Sequence, residues 1–593
     1  MGACELSKSL ELEPPDMAFE LSRPQKILTL LGVLLGMLLA ALDQTIVSTA
    51  GPAIQKDLHI PASLYAWITT AYLVASTVLV PVYGKLSDAF GRRRILVIGI
   101  LIFLLGSALC GLSQTTLQLI LARALQGVGS ASLFTSAFAI VADIFPPSER
   151  GKYQGIFGAV FGLSSVVGPL VGGFLTDHFS WHWVFFVNLP VGAVALGFIL
   201  TRMPPLRHEG RKASVDLLGA LTLSMFTVPL LLALSLGRRT VAPGETGYAW
   251  GSPQILGMFA LSVVGLAAFL LVERTVEEPL LDLKLFRNKA FAVGNVAAFI
   301  SGAVFLGAIV FLPLFMVNVV GLSATNSGFT MMPLTLGIVA GNILSGQLVS
   351  RLGRYKVFIL AGQAIAVAAF GVMAFTLRPT STQGELTLKM IFVGLGLGPS
   401  IPLFTLAIQN AVAPHQVGVA TSSATFFRQM GSTIGVALMG TVFGLALSSS
   451  MATHMTEATR DAPVALRQQF MPQQPGGGQV GEEGGATERS FDAVAIKARI
   501  AEGFDKQREV LAPAAQAGDP AAKGRLAGLT QAQRSAEATV DKMALAFKEA
   551  FSEAIRDIYR ITLFIALLAL LVTLALPELP LRKTNGPQPP VLE

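Results

Sequence analysis

The 593-residue sequence is poor in charge and poor in cysteine. Lys, Arg, Asp and Glu supply 13% of it, against about 25% in soluble domains, while 52% is hydrophobic and mean hydropathy is +0.63. That balance excludes a soluble globular chain and fits a protein that crosses a bilayer many times. There are two cysteines, Cys4 in a tail and Cys110 in an apolar run, too few for a disulfide framework or a thiolate metal site. No Gly-x-x-x-x-Gly-Lys-Ser/Thr loop is present, which argues against ATP as a driving force. No His/Cys cluster has metal spacing and no nucleophile stands beside a base, so neither enzymatic activity nor a metal or cofactor is expected. Net charge is +7 with pI near 9.4, yet the bases sit in short loops between apolar runs. That is the positive-inside pattern of a membrane protein, and no nucleic-acid partner is expected.

What is present is apolar length. At about 1.5 Å per residue a helix needs roughly 20 residues to cross a 30 Å core. Fourteen runs qualify, at 27–50, 64–83, 94–112, 116–140, 153–176, 183–201, 215–236, 254–273, 290–319, 326–349, 356–377, 386–411, 417–448 and 560–577. The first is too long for a signal peptide and is read as a retained span. Lys85 and Arg92–Arg94, Arg150 and Lys152, Arg202, Arg207, Arg211 and Lys212, and Arg351, Arg354 and Lys356 all fall in loops on one side. The opposite loops Gly111–Thr115 and Asp177–His182 are almost free of bases. A multi-pass plasma (inner) membrane protein with both termini cytoplasmic is expected.

The expected division is a tail over 1–26, a six-helix bundle over 27–201, two inserted spans with basic loops over 202–289, five further helices over 290–448, a long extracytoplasmic loop over 449–559, the last span at 560–577 and a tail over 578–593. In the long loop, Pro472–Gly485 reads as a flexible linker. Phe491–Gln507 and Gln531–Tyr559 have helical spacing, and the second is expected to continue into the last span as one helix. This loop is either a solvated spacer or a docking element for an extracytoplasmic partner.

Few charges lie deep in the spans. Asp43 stands inside the first, where a carboxylate costs about 2.5–3.5 kcal/mol even on insertion scales. It is a charge near a helix end, a structural partner for a buried base, or a protonatable site in a transport pathway. Arg123 is the second deep charge; arginine stays protonated, so it can hold or release a carboxylate but cannot carry the proton. Spans 9–13 hold amides (Asn295, Asn318, Asn342, Gln347, Gln363, Gln409, Asn410) and no interior acid. Their one deep charge is Arg428, which either snorkels, binds a carbonyl, contacts anionic cargo or competes for Asp43.

After span 2 the chain reads Gly84-Lys85-Leu86-Ser87-Asp88-Ala89-Phe90-Gly91-Arg92-Arg93-Arg94. This resembles the loop signature of the major facilitator superfamily, Gly-x-x-x-Asp-x-x-Gly-Arg-Arg. Arg123-Ala124-Leu125-Gln126-Gly127-Val128-Gly129 is similar to a second family motif, and Gly162–Gly173 to its antiporter signature. Leu42-Asp43-Gln44-Thr45-Ile46-Val47, and Trp181-His182-Trp183 followed by Asn188-Leu189-Pro190, resemble segments of the fourteen-helix drug:proton antiporters, with His182 in place of the usual Arg.

The resemblance implies an all-α major facilitator fold: two six-helix bundles plus two inserted helices. It implies a proton-coupled multidrug antiporter that exports amphipathic, neutral or monocationic compounds by alternating access, with the proton gradient as its energy source. Asp43 and Arg123 would couple the proton. Gln44, Trp67, Tyr72, Gln126, Asn342, Gln409 and Arg428 would line the substrate cleft, with Phe134, Phe161, Phe305 and Phe311 as further aromatic candidates. Gly84, Asp88, Gly91, Arg92 and Arg150 would form a cytoplasmic gate, Asp88 meeting the positive N-terminus of span 13. Gly168, Pro169, Gly172 and Gly173 would form an antiporter hinge between the halves. A monomer in the lipid bilayer is expected, with small amphipathic substrates as partners. Export of a lipid or glycolipid, and a non-transporting receptor or scaffold, are the alternatives.

Overall fold

The computed structural model describes residues 21–60, 62–65, 67–205, 216–238, 248–321, 331–460, 493–517 and 519–581. Arg207, Arg211, Lys212 and the linker Pro472–Gly485 lie outside the described residues, as do most of the two tails.

Among the described residues, fourteen helices are long and apolar enough to span a bilayer, and each coincides with a run read from the sequence. They are α1 (Arg23–Asp57), α2 (Trp67–Phe90), α3 (Arg92–Gly111), α4 (Thr116–Ile144), α5 (Pro147–His178), α6 (Trp183–Arg202), α7 (Leu217–Leu236), α8 (Pro253–Thr275), α9 (Lys289–Val320), α10 (Met332–Leu352), α11 (Lys356–Thr376), α12 (Gln383–Asn410), α13 (Val417–Ala458) and α15 (Pro520–Leu574). The remaining long helix, α14 (Ala493–Gln516), is polar and pairs with α15.

Local chemistry sets several boundaries. The Thr115 hydroxyl accepts the Gln118 N–H to start α4, Asn288 caps α9 through the Ala290 N–H, and Asp519 caps α15. Gly91 at φ 94° turns α2 into α3 through a single residue, a left-handed conformation that disfavours any side chain. Pro399 follows Gly398 inside α12 and divides it into two segments, a break that the continuous apolar run 386–411 did not announce. α9 ends in one π-helical stretch, Met316–Val320.

Helices α1–α6 enclose one core, which includes Met37, Phe103, Phe138 and Phe157. Helices α9–α13 and α15 enclose another, with Phe315, Phe370, Met390 and Ile555. The inserted pair α7–α8 packs together so closely that a Cβ on Gly265 would lie 2.5 Å from the backbone of Met225, and it rests against α2 and α13. The two halves meet chiefly where α2 touches α13 and α5 touches α10.

At about 1.5 Å per residue, the 42 residues of α13 extend roughly 63 Å and the 55 of α15 roughly 80 Å, well beyond a 30 Å core. Both therefore project from the end opposite the basic turn at Gly91, where α14 packs on α15. The polar loop expected over 449–559 accordingly begins as a continuation of α13 through Ala458. The expected helix from Gln531 into the last span is present and starts earlier, at Pro520.

Candidate functional site

Three polar clusters interrupt the apolar interior. The first surrounds Asp43, fully buried midway along α1. Arg123 Nη1 donates to Asp43 Oδ2 at 2.7 Å, while Gln126 Nε2 and Asn188 Nδ2 donate to Oδ1 at 2.8 and 3.0 Å. Arg123 is held in turn: Nε donates to the Ile68 carbonyl at 3.1 Å, Nη1 to Gln126 Oε1 at 2.6 Å, and the guanidinium lies 4.3 Å from the Tyr72 ring centroid. Asn188 also donates to Ser107 Oγ, which donates to the Phe185 carbonyl. Every partner belongs to the first six helices. Leaving one member of a buried ion pair alone costs about 3–5 kcal/mol, so this cluster works as a unit.

The second cluster lies at the α2–α3 turn. Asp88 Oδ2 accepts the Val419 N–H at 3.2 Å, in the first turn of α13, so a carboxylate of one half sits on the positive end of a helix of the other. Gly418 makes room for it, since a Cβ there would lie 2.2 Å from Asp88 Oδ1. Arg92 bridges Asp88 Oδ1 at 2.6 Å and Asp143 Oδ2 at 2.7 Å, with Nη1 donating to Ser87. Arg150 donates to the Ala142 and Phe145 carbonyls at the end of α4. Gly84 faces Ser422, where a Cβ would stand 2.2 Å from its Oγ.

A pseudo-symmetric counterpart joins α5 to α10. Gly346-Gln347-Leu348-Val349-Ser350-Arg351-Leu352-Gly353-Arg354 repeats the spacing of Gly84–Arg92, with serine replacing the aspartate. Gly353 has φ 71°, and a Cβ on Gly346 would lie 2.2 Å from the Gly151 carbonyl oxygen. The third cluster extends this seam: Gln154 donates to Gln409 at 3.1 Å, and Gln409 donates to Thr421 at 2.8 Å.

Several expected positions shift. Tyr72 and Gln126, read as cleft-lining, are buried beside Asp43, with Tyr72 donating to Ser130 at 2.6 Å. Gln409 and Asn342 are buried in the seam between the halves; Asn342 lies over Gly155 and Gly158, where added Cβ atoms would meet it at 2.8 and 2.0 Å. Phe311 belongs to the core of the second bundle. Gln44 and Trp67 are half-buried, Phe134 stacks on Phe161 at 5.5 Å, and Phe305 and Arg428 line a cavity in the second half.

The hinge glycines face elsewhere than expected. Gly168 and Gly172 receive Thr45 and Ile46 of α1, within the same half, because the helix turns that face inward. Gly173 meets nothing within 4 Å, and half-buried Pro169 is accommodated inside a continuous α5. The close approach to the other half is made by Gly151, Gly155, Gly158 and Gly162. Sequence reasoning also passed over Asp143 and Glu273, acids buried near helix ends, and Asn188. Asn188 was visible in the Asn-Leu-Pro segment, but nothing local announced that it would reach Asp43.

Two six-helix bundles with an inserted pair of spans, tied by a latch at one end and holding a buried carboxylate bonded to three donors, define a polytopic membrane transporter. The profile of the Major Facilitator Superfamily matches residues 33–436, and the chain belongs to that family, one of transporters rather than enzymes. It is 38% identical over 460 residues to the multidrug transporter protein MdtP of Bacillus subtilis (strain 168), covering 78% of this chain and 83% of that one. It is 42% identical over 412 residues to multidrug resistance protein 3 of the same organism, covering 70% and 78%. The crystal structure of the human organic anion transporter MFSD10 (TETRAN) superposes with a TM-score of 0.54 at 16% identity, over 71% of this chain and 94% of that one, a likeness of fold alone.

Proposed function

We propose that the chain is a proton-coupled multidrug antiporter that exports amphipathic compounds by alternating access. The observation that carries this reading is Asp43, a membrane carboxylate bonded to Arg123, Gln126 and Asn188 within one half. Protonation removes its charge and loosens its hold on Arg123, so the first bundle can repack and rotate against the second. Similarity to proteins named for multidrug transport and multidrug resistance supports the export direction.

Asp88, Arg92, Asp143 and the start of α13 form the cytoplasmic latch in this reading. The latch end is closed here, so cargo would leave from the opposite end and be captured after the latch opens. The energy source is the proton gradient, no cofactor takes part, both termini are cytoplasmic, and the protein works as a monomer in the plasma (inner) membrane. The divisions at 27–201, 202–289 and 290–577 are the working units, with 449–559 projecting outside.

Everted membrane vesicles test the reading. Adding amphipathic compounds is expected to dissipate an imposed pH gradient only when the protein is present. Absence of proton flux with every member of a broad set would favour a receptor or scaffold.

A further inference from the structure

Arg428 is the charge that the coupling mechanism leaves over. Among the described residues it has neither a hydrogen-bond nor an ion-pair partner, unlike Arg92, Arg123 and Arg150. It is half-buried on α13, at a cavity shared with Ser301 and Phe305 of α9 and Ser400, Phe404 and Thr405 of α12. Ile401, also in the lining, packs against the core of the first bundle, so the cavity borders the interface between the halves.

The position of the guanidinium is built. A Cβ on Gly302 would lie 2.1 Å from the Arg428 carbonyl oxygen, so α13 is pressed onto α9 at this point, where Arg428 lines the cavity. Arginine cannot shed its charge there. An unpaired cation at membrane depth is costly, and such residues mark ligand or ion pathways.

The surroundings discriminate between cargo charges. The cavity lining contains no acid. Asp43, the deep carboxylate of the other half, is already engaged by three donors. A cationic compound would therefore meet repulsion from Arg428 and find no carboxylate to offset it. An anion would meet a five-donor fork suited to two-point binding of a carboxylate. Ser301 accepts from Gln363 Nε2 at 3.5 Å and keeps its own O–H for a second acceptor, whereas Thr405 spends its hydroxyl on the Ile401 carbonyl. Phe305 and Phe404 lie in the same lining; the cavity as it stands has room for about one water, so a ring is admitted against them only once the two halves part.

We infer that Arg428, with Ser301 and the two phenylalanines, forms an anion subsite, and that the cargo includes amphipathic monoanions with a carboxylate on an aromatic body. This rests on the exporter reading for the word cargo and replaces the neutral or monocationic class expected from sequence.

The test uses three probes with one ring system, 2-naphthoate, 2-naphthamide and 2-naphthyl-trimethylammonium, with the purified full-length protein. Wild type is expected to bind naphthoate about tenfold or more tighter than the ammonium probe, as one charge-assisted contact allows. In Arg428→Gln that ratio is expected to collapse toward one, and in Arg428→Lys to persist in part. Equal binding of the two charged probes by wild type, or an unchanged ratio in Arg428→Gln, overturns the subsite. The wild-type ratio decides the matter even if a variant fails to fold. In liposomes the amide separates the two readings. Export of the amide without a naphthoate preference sinks the subsite alone. Naphthoate-preferring binding with no pH-driven export of any probe sinks the exporter reading alone.

Discussion

At the scale of single residues, the molecule turns on how three side chains hold one carboxylate. Asp43 was legible from sequence because an acid inside an apolar run is rare, and Arg123 because its motif is specific. Asn188 was not, because a side-chain amide reaching from α6 to α1 is a product of packing that no local pattern encodes. Asp143 was missed for a related reason: at the end of α4 it looks like a solvated terminus, and only the fold places Arg92 2.7 Å away. Removing one hydrogen bond to a buried charged group costs about 1.5–3 kcal/mol, which sets the expectation for Asn188→Ala. Thermal unfolding of the detergent-purified variant is expected several degrees below wild type, and Asn188→Asp, which adds a like charge beside Asp43, lower still. An unchanged midpoint for both would remove Asn188 from the cluster.

At the scale of elements, glycines decide where helices of opposite halves can touch. The sequence shows a glycine-rich α5, but a helix carries glycines on several faces, and periodicity alone does not say which face meets which neighbour. The structure directs Gly168 and Gly172 to α1, and Gly151, Gly155 and Gly158 to α10. Likewise Gly84 and Gly418 let α2 and α13 close on Asp88. Overpacking such a contact costs about 1–3 kcal/mol, enough to shift an open–closed balance roughly tenfold. Gly84→Ala is therefore expected to spring the latch. A cysteine placed at Ala142, which is buried beneath the seam, would then label faster with a membrane-impermeant maleimide in a Cys4→Ser, Cys110→Ser background. Labelling as slow as in the unsubstituted latch would show that α2 and α13 do not gate this end.

At the scale of the whole molecule, the fourteen spans were the most legible feature, since length and hydropathy suffice to find them. The long extensions of α13 and α15 were less so, because a polar helix beyond the membrane has no bilayer to mark its edge. Among the described residues α14 packs chiefly on α15. Deleting Pro472–Thr530 is thus expected to leave efflux of amphipathic probes intact. Retained drug efflux with lost export of a membrane lipid would assign the projection to lipid hand-off instead.

The central claim is that protonation of Asp43 drives the exchange of proton for cargo. It is tested most directly by pH-gradient-driven efflux from liposomes, with wild type beside Asp43→Asn, an isosteric change that keeps an acceptor for Arg123. Wild type is expected to expel the probe against its gradient, while the variant inserts in the membrane normally and shows no active efflux. Full pH-driven efflux by Asp43→Asn would contradict the account.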